Sequence, residues 1–516
     1  MRTIKNILLF ALIAMSIQGC KTENERPNIL FILSDDHTSQ AWGIYGGILE
    51  DYVHTPSISK LADEGCVLDN CLVSNSICVP SRATILTGQY SHINGVKNLW
   101  NRLMPEQDNI AKHLQTGGYQ TALIGKWHLK EKPSGFDHYC VLPGQGVYWN
   151  PVMKTEENWA EGGISYEGFS TDVIADMTIN WIEQRDKTKP FYAMCHFKAT
   201  HEPFDYPERH KNLNADIDLP MPTSLFDTGE ETTGRVFKGQ SIDNLKKRYL
   251  KASADSANWR GHQRYPDLPL VLDGLNDHDA RVKTYQKFVK DFIRCGAAID
   301  DNIGKLLDYL EEAGLDENTV VIYTADQGYF LGEHGWFDKR MIYEESAHMP
   351  FVIRYPKEIK AGSRNNNLIE NVDFSALFAD YANITYPETM QGVSFRENLK
   401  GKTPNDWRDY SYYRYWEHSP DRPGHFGIRG NQYKLAFYYG NGLADKEGIV
   451  PENKGFWEFF DLSNDPDEFH NGYGNPKYAE IIAKMKREIL RQRDVLGDSD
   501  QDNPEILRII EKHWTD

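Results

Sequence analysis

Short apolar runs recur along the chain from residue 27 onward: NILFIL, CVLDNCLV, TALIG, FYAMCHF, TVVIYT and PFVIRY. Each has about the length of a strand, and amphipathic stretches separate them. Runs without clean polar alternation belong to strands covered on both faces. The pattern therefore predicts an α/β fold built on a large, mostly parallel sheet sandwiched by helices. NIAKHLQTGGY and NIGKLLDYLEEAGL end in glycine, as helices commonly do. Between Phe204 and about Asp279 the pattern turns irregular, polar and proline-containing, where an insertion over an active site would sit. After about Gln391, YSYYRYWEH, FGIRGNQYKLAFYY and GFWEFFDL read as antiparallel strands and residues 476 to 493 as a closing helix. The expected units are an N-terminal domain at 25–390 and a smaller C-terminal α+β subdomain at 391–516 carrying an antiparallel sheet.

Composition narrows the functional classes. At 516 residues and 40% hydrophobic content the chain can build a large core and a second, smaller one. A formal charge of -18 and a pI near 5.4 argue against nucleic acid as a partner, because neutralising phosphates takes a surplus of Lys and Arg. An anionic ligand would need locally concentrated positive charge. The chain begins Met-Arg-Thr-Ile-Lys and runs into an apolar stretch from Ile7 to Ile17, too short to cross a bilayer and shaped like a secretory signal over residues 1–20. Gly19-Cys20 resembles a bacterial lipobox, whose cysteine carries lipid. That implies an exported protein, periplasmic or anchored in the outer membrane of a Gram-negative bacterium. Of the seven cysteines, five remain once Cys20 and Cys78 are set aside, an odd number that cannot complete a disulfide framework.

Two of the apolar runs end in oxygen donors. NILFILSDD carries a strand into Asp35 and Asp36, and TVVIYTADQG does the same into Asp326 and Gln327. Ligands of open parallel sheets bind outside the carboxyl ends of the strands, so the two pairs can converge on one cation. Four hard oxygen donors without His or Cys suit Ca²⁺ best and Mg²⁺ second. Taken singly, each pair is more often a helix N-cap or a solvated loop. Basic residues follow other strands: Lys126 and His128 in GKWHLK, His201 in ATHEPF, and Lys339 in GEHGWFDKR. Lysine beside histidine fits an anion or a proton-transfer task, although a lone residue of either kind is more often structural.

The stretch CVPSRATILTG, residues 78 to 88, reads as a helix with Pro80 in its first turn and Gly88 as its stop. Cys78 then sits at the positive end of the helix, where a thiolate is favoured and an anionic substrate meets free backbone N–H groups. A buried structural cysteine and a protease-type thiol nucleophile are the other readings.

C-x-P-S-R closed by T-G resembles the signature of formylglycine-dependent sulfatases of the alkaline phosphatase superfamily. LSDD, GKWHL, THEPF, TADQGYFLGEHGWFDKRMIYEES and YKL...DLSNDPDE follow in the family's order over about residues 27 to 480. The resemblance implies that a separate formylglycine-generating or radical-type maturing enzyme oxidises Cys78 to Cα-formylglycine. One hydroxyl of the hydrated aldehyde then attacks sulfur, and the second collapses the adduct and expels sulfate. Position by position it implies Ca²⁺ ligation by Asp35, Asp36, Asp326, Gln327 and modified Cys78. Arg82 holds the diol and Lys126 and Lys339 clamp the sulfate. His201 becomes the general acid and His128 assists aldehyde release. Gln327 stands where many relatives carry Asn or His and still offers a carbonyl oxygen. YWEHSPDRPGHFGIR supplies Trp416, His418, His425 and Arg429 as candidate sugar contacts. FDKRMIYEES is similar to carbohydrate sulfatases, which implies an exo-acting glycan sulfatase, a 6-O-sulfated hexosamine being one candidate. A phosphonate or phosphate-ester hydrolase of the same superfamily and a non-catalytic glycan-binding lipoprotein are the alternatives.

Overall fold

The computed structural model describes residues 26–227, 238–254, 264–417, 422–440 and 455–515. The expected signal and Cys20 lie outside these residues. Eight strands form the main sheet: β1 Asn28–Asp35, β2 Cys66–Leu68, β3 Gln120–Lys126, β4 His138–Leu142, β5 Phe191–Thr200, β6 Thr319–Ala325, β7 Phe351–Arg354 and β8 Ser363–Asn365. Their spatial order is β8-β2-β7-β6-β1-β5-β3-β4. The pairs around the centre run parallel, β1 with β5 and β6, and β3 with β4 and β5. Only β7 runs against its neighbours. The mostly parallel α/β sheet expected from the apolar runs is present. CVLDNCLV, however, is two short strands: β2 joins the main sheet, while Cys71–Leu72 pairs with Ile369–Glu370. The polar Asp69-Asn70 step breaks the run, because two side chains with no partner in a covered sheet make a turn instead.

Alternation along β1 shows how the sheet is covered. Ile29, Phe31 and Leu33 point into one apolar layer with helices α2 Cys78–Thr87, α3 Ile110–Thr116 and α7 Phe374–Tyr381. Leu30 and Ile32 point into the opposite layer with α1 Pro56–Asp63, α4 Ser170–Gln184 and α6 Asp277–Glu312. Because successive strand side chains face opposite sides, a wholly apolar strand needs both layers. Gly125 in β3 marks the tightest approach in this region. Its φ is +106°, and a Cβ there would lie 1.9 Å from the carbonyl oxygen of His196. Any side chain would force β3 away from β5 and carry Lys126 with it.

The stretch after Phe204 is not wholly irregular. It contains helix α5 Ile242–Ala254, which buries Ile242, Leu245, Tyr249 and Ala252. That spacing is a helical stripe, obscured in the sequence by the lysines and arginine between its apolar positions. Those residues pack with Phe204, Tyr285, Phe288 and Phe292 in a satellite core. Farther along, strands β9 Ser411–Tyr415, β10 His425–Arg429, β11 Tyr433–Tyr438 and β12 Phe456–Asp461 make the expected antiparallel sheet. One face carries Tyr413, Tyr415, Ala436, Tyr438 and Phe460 into the main core. The other packs with α8 Ala479–Leu496 and α9 Pro504–His513. The described cysteines are all buried and unpaired. No described helix is long and apolar enough to cross a membrane.

Candidate active site

Strand β1 delivers Asp35 and strand β6 ends one residue before Asp326, and the adjacency of the two strands brings their carboxylates together. Asp36 follows with a left-handed backbone (φ 69°), which turns its side chain toward the same point as its neighbour's rather than across the sheet. Its N–H donates to Asp326 Oδ1 at 3.2 Å. Oxygens of Asp35, Asp36 and Asp326 lie within 4.8 Å of one another, and all three residues are buried. Gln327 Nε2 donates to Asp36 Oδ1 at 2.5 Å. Asp35 Oδ1 and Gln327 Oε1 are buried without a hydrogen-bond partner.

Helix α2 is pinned onto this cluster by its first turn. Ser81 Oγ donates to the Asp326 carbonyl at 2.5 Å. The guanidinium of Arg82 donates from Nε to Asp326 Oδ2 and from Nη1 to the Lys126 carbonyl, both at 2.9 Å. The helix begins at Cys78 and stops at Gly88 in the left-handed region, as the sequence predicts. Cys78 Sγ, a ring nitrogen of His201 and an oxygen of Asp35 also lie within 4.8 Å of one another. Burial pushes the Cys78 thiol up to about 11, against the pull of Lys339. The expectation of a favoured thiolate is therefore corrected: the desolvation of this position and the nearby Asp326 and Asp36 outweigh the helix end and the lysine.

Each carboxylate has a cationic partner. Lys126 Nζ donates to Asp35 Oδ2, Lys339 Nζ donates to Asp36 Oδ2 at 2.6 Å, and Arg82 holds Asp326. Burial raises the Asp36 carboxyl to about 6 although Lys339 pulls it down. Lys339 is held above the ordinary lysine value by Asp36, against the burial that disfavours its charge. His201 Nδ1 donates to the Glu202 carbonyl at 2.8 Å, which leaves Nε2 as the nitrogen near Asp36 Oδ2 at 4.0 Å. Burial and the positive field of Lys126, Lys339 and Lys198 hold His201 well below the usual imidazole value. His128 is held down likewise by burial, Lys126 and Arg82, and its Nδ1 is buried without a partner.

The cleft over this cluster has a volume of about 250 Å³. Asp36, Cys78, His201 and Lys339 form its floor, while Arg248, Asp338, Arg340 and Arg422 stand in its wall. These four were not singled out from the sequence. Asp338 and Arg340 flank Lys339, and strict strand alternation would send them away from it. Their positive φ values, 76° and 101°, let three consecutive side chains reach one space. Against burial, Arg340, Lys339 and Arg422 hold the Asp338 carboxyl down at about 2. Arg248 arrives from α5 and grips Glu202 through two bonds of 3.1 and 2.9 Å. Gln240, just before α5, donates to the Lys339 carbonyl at 2.6 Å. The insertion thus borders the site and is tied to both His201's neighbour and Lys339.

The candidate sugar contacts from the C-terminal sheet are engaged elsewhere. Trp416 is buried, with the Arg414 guanidinium 3.5 Å from its ring centroid and Lys97 at 4.5 Å. His425 stacks between Tyr413 and Tyr438. Arg429 is bound to Glu344 at 2.9 Å. These side chains complete the packing of the antiparallel sheet, so an aromatic and basic composition suited to sugars was used for the core. His418 lies outside the described residues.

Residues 27–384 match the family model described as Sulfatase, and residues 332–495 that described as N-sulphoglucosamine sulphohydrolase, C-terminal. The chain is 38% identical to the N-acetylglucosamine-6-O-sulfatase of Bacteroides thetaiotaomicron, an alignment covering 98% of this chain and 94% of that relative. It is 24% identical to an arylsulfatase of Clostridium perfringens over 94% of this chain and 98% of the relative. A solved structure of a protein in complex with its substrate D-glucosamine-2-N,6-O-disulfate superimposes with a TM-score of 0.80 at 36% identity, covering 93% of this chain and 100% of that one.

Proposed function

The chain belongs to the sulfatase family and is a sulfuric ester hydrolase, and on that premise we propose that it removes the 6-O-sulfate of a glucosamine residue in a sulfated glycan. The observation that carries this reading is a cluster of three buried carboxylates, each paired with a cation, beside Cys78 and His201, with Asp36, Cys78, His201 and Lys339 lining one cleft. A 6-O-sulfated glucosamine is named both for the Bacteroides thetaiotaomicron relative and for the substrate in the solved structure, which supports the choice of sugar.

Asp35, Asp36, Asp326 and Gln327 fit a divalent cation, because two of their oxygens are buried and unpartnered and hard oxygen donors suit Ca²⁺. Bound there, Ca²⁺ would polarise the ester and lower the pKa of an attacking hydroxyl, which Cys78, oxidised to Cα-formylglycine by a maturing enzyme, would supply as a hydrated aldehyde. With their carboxylates committed to the cation, Lys126 and Lys339 are left to meet sulfate oxygens, and their buried positions strengthen that attraction. Arg82 orients the Cys78 side chain while anchoring Asp326. His201 has its Nδ1 fixed on a carbonyl, so Nε2 is the atom that passes a proton to the leaving sugar oxygen. An anionic sulfate ester in the cleft opposes the field of the three lysines and raises the imidazole toward the range where it carries that proton. His128, whose buried Nδ1 has no partner, would take the proton that the remaining hydroxyl at position 78 gives up as the aldehyde re-forms and sulfate leaves. Asp338 and Arg340 offer an acceptor and a donor set to sugar hydroxyls. Export and lipid attachment at Cys20 would place the enzyme where glycans are met.

Two measurements test the reading. Among sulfated monosaccharides, the 6-O-sulfate of N-acetylglucosamine or N-sulfoglucosamine should be cleaved at least about 100-fold faster, in kcat/KM, than 2-O- or 4-O-sulfated sugars; a preference for another position removes the proposed substrate. Ca²⁺ added to chelator-treated protein should raise its unfolding temperature by several degrees, and the rise should be lost in Asp326→Asn. No Ca²⁺-dependent shift in the unaltered chain would remove the metal assignment.

A further inference from the structure

Trp100 is 74% exposed, and the adjacent Leu99 forms part of the cleft wall. Neighbouring α-carbons are about 3.8 Å apart, so the backbone of Trp100 adjoins that wall. The loop that carries it is braced. Asn98 Oδ1 accepts from the N–H groups of Trp100 and Asn101 at 2.9 and 3.1 Å, and Asn101 Oδ1 accepts from those of Lys97 and Asn98 at 2.9 and 3.1 Å. The Leu103 N–H donates to the Leu129 carbonyl at 3.3 Å, tying this loop to the segment that follows Lys126. That segment presents Lys130, whose Nζ lies 5.8 Å from the Trp100 ring centroid and which has no carboxylate partner among the described residues. An indole this exposed contributes little to packing, and a braced loop loses little freedom when something binds it.

We infer that Trp100 and Lys130 form an outer subsite for the next sugar of the glycan, a residue bearing carboxylate or sulfate and linked to the one being desulfated. The indole offers a flat apolar face to a pyranose ring and the ammonium a counter-charge to its acidic group, beyond the arginines of the cleft wall. The inference rests on the glycan reading above.

The test compares kcat/KM for a 6-sulfated glucosamine monosaccharide and for a 6-sulfated disaccharide whose second residue is a uronic acid. Trp100→Ala should lower the disaccharide value about tenfold, mainly through KM, and leave the monosaccharide value within about twofold. Trp100→Phe should restore most of the loss, and Lys130→Ala should weaken the salt dependence of the disaccharide KM. Equal losses on both substrates, or an unchanged ratio between them, would overturn the subsite and leave the glycan reading standing. Unaltered enzyme that cleaves an aryl sulfate but neither sugar would overturn both.

Discussion

Cys78→Ala should leave a folded protein whose turnover of any sulfate ester has fallen by about 10⁴-fold or more. The site's carboxylates, lysines and arginine all remain in this variant and can still hold a substrate, but nothing is left at position 78 to attack sulfur. Stability should change by only about 1 kcal/mol, because the change removes a single buried sulfur and no ion pair. The contacts that dock α2 run from Ser81 and Arg82, not from the thiol. The comparison needs kcat on a sugar sulfate and on 4-nitrophenyl sulfate, together with thermal unfolding of both proteins. Retention of more than about 1% of the activity would show that Cys78 is a structural cysteine and that another group does the chemistry.

His201→Ala should divide substrates by their leaving groups. A sugar alkoxide is a strong base and needs a proton as it departs, so loss of the acid should cost about 10² to 10³-fold in kcat on 6-O-sulfated glucosamine. A nitrophenolate leaves without help, and its rate should fall by about tenfold at most. The geometry makes the division sharp, because the His201 Nδ1 bond to the Glu202 carbonyl fixes which nitrogen faces the cleft. A uniform loss on both substrates would instead assign His201 to binding or to the metal's surroundings, where its 4.0 Å approach to Asp36 would place it.

Five members of the candidate cluster were readable in the chain because each stands at the end of an apolar run. Asp35 and Asp36, Lys126, His201 and Asp326 all follow strands whose hydrophobicity is unmistakable, and parallel packing then requires their ends to meet at one edge. The walls of the cleft obey no such rule. Arg248 reaches it from a helix hidden among charged residues, and Asp338 and Arg340 do so through backbone angles that carry no compositional mark in a non-glycine residue. Trp416, His425 and Arg429 illustrate the reverse ambiguity. Residue types suited to sugar binding are also those that pair with tyrosines and glutamates inside a small sheet, and only the partners Arg414, Tyr438 and Glu344 distinguish the two uses. Strand β4 escaped attention as well, since HYCVL opens with two polar-edged residues at the sheet's rim.

Every residue of α2, from Cys78 to Thr87, is buried in the finished fold, and Arg82 is tied to Asp326 and to the Lys126 carbonyl. An enzyme that must grasp this stretch to alter Cys78 meets an accessible polypeptide only before the helix docks. The proposed conversion is therefore a matter of timing: once docking is complete, a chain that missed it stays inactive however much maturing enzyme surrounds it. Slower docking of α2 would lengthen the interval for conversion, so the fraction of active molecules becomes a kinetic property of biosynthesis.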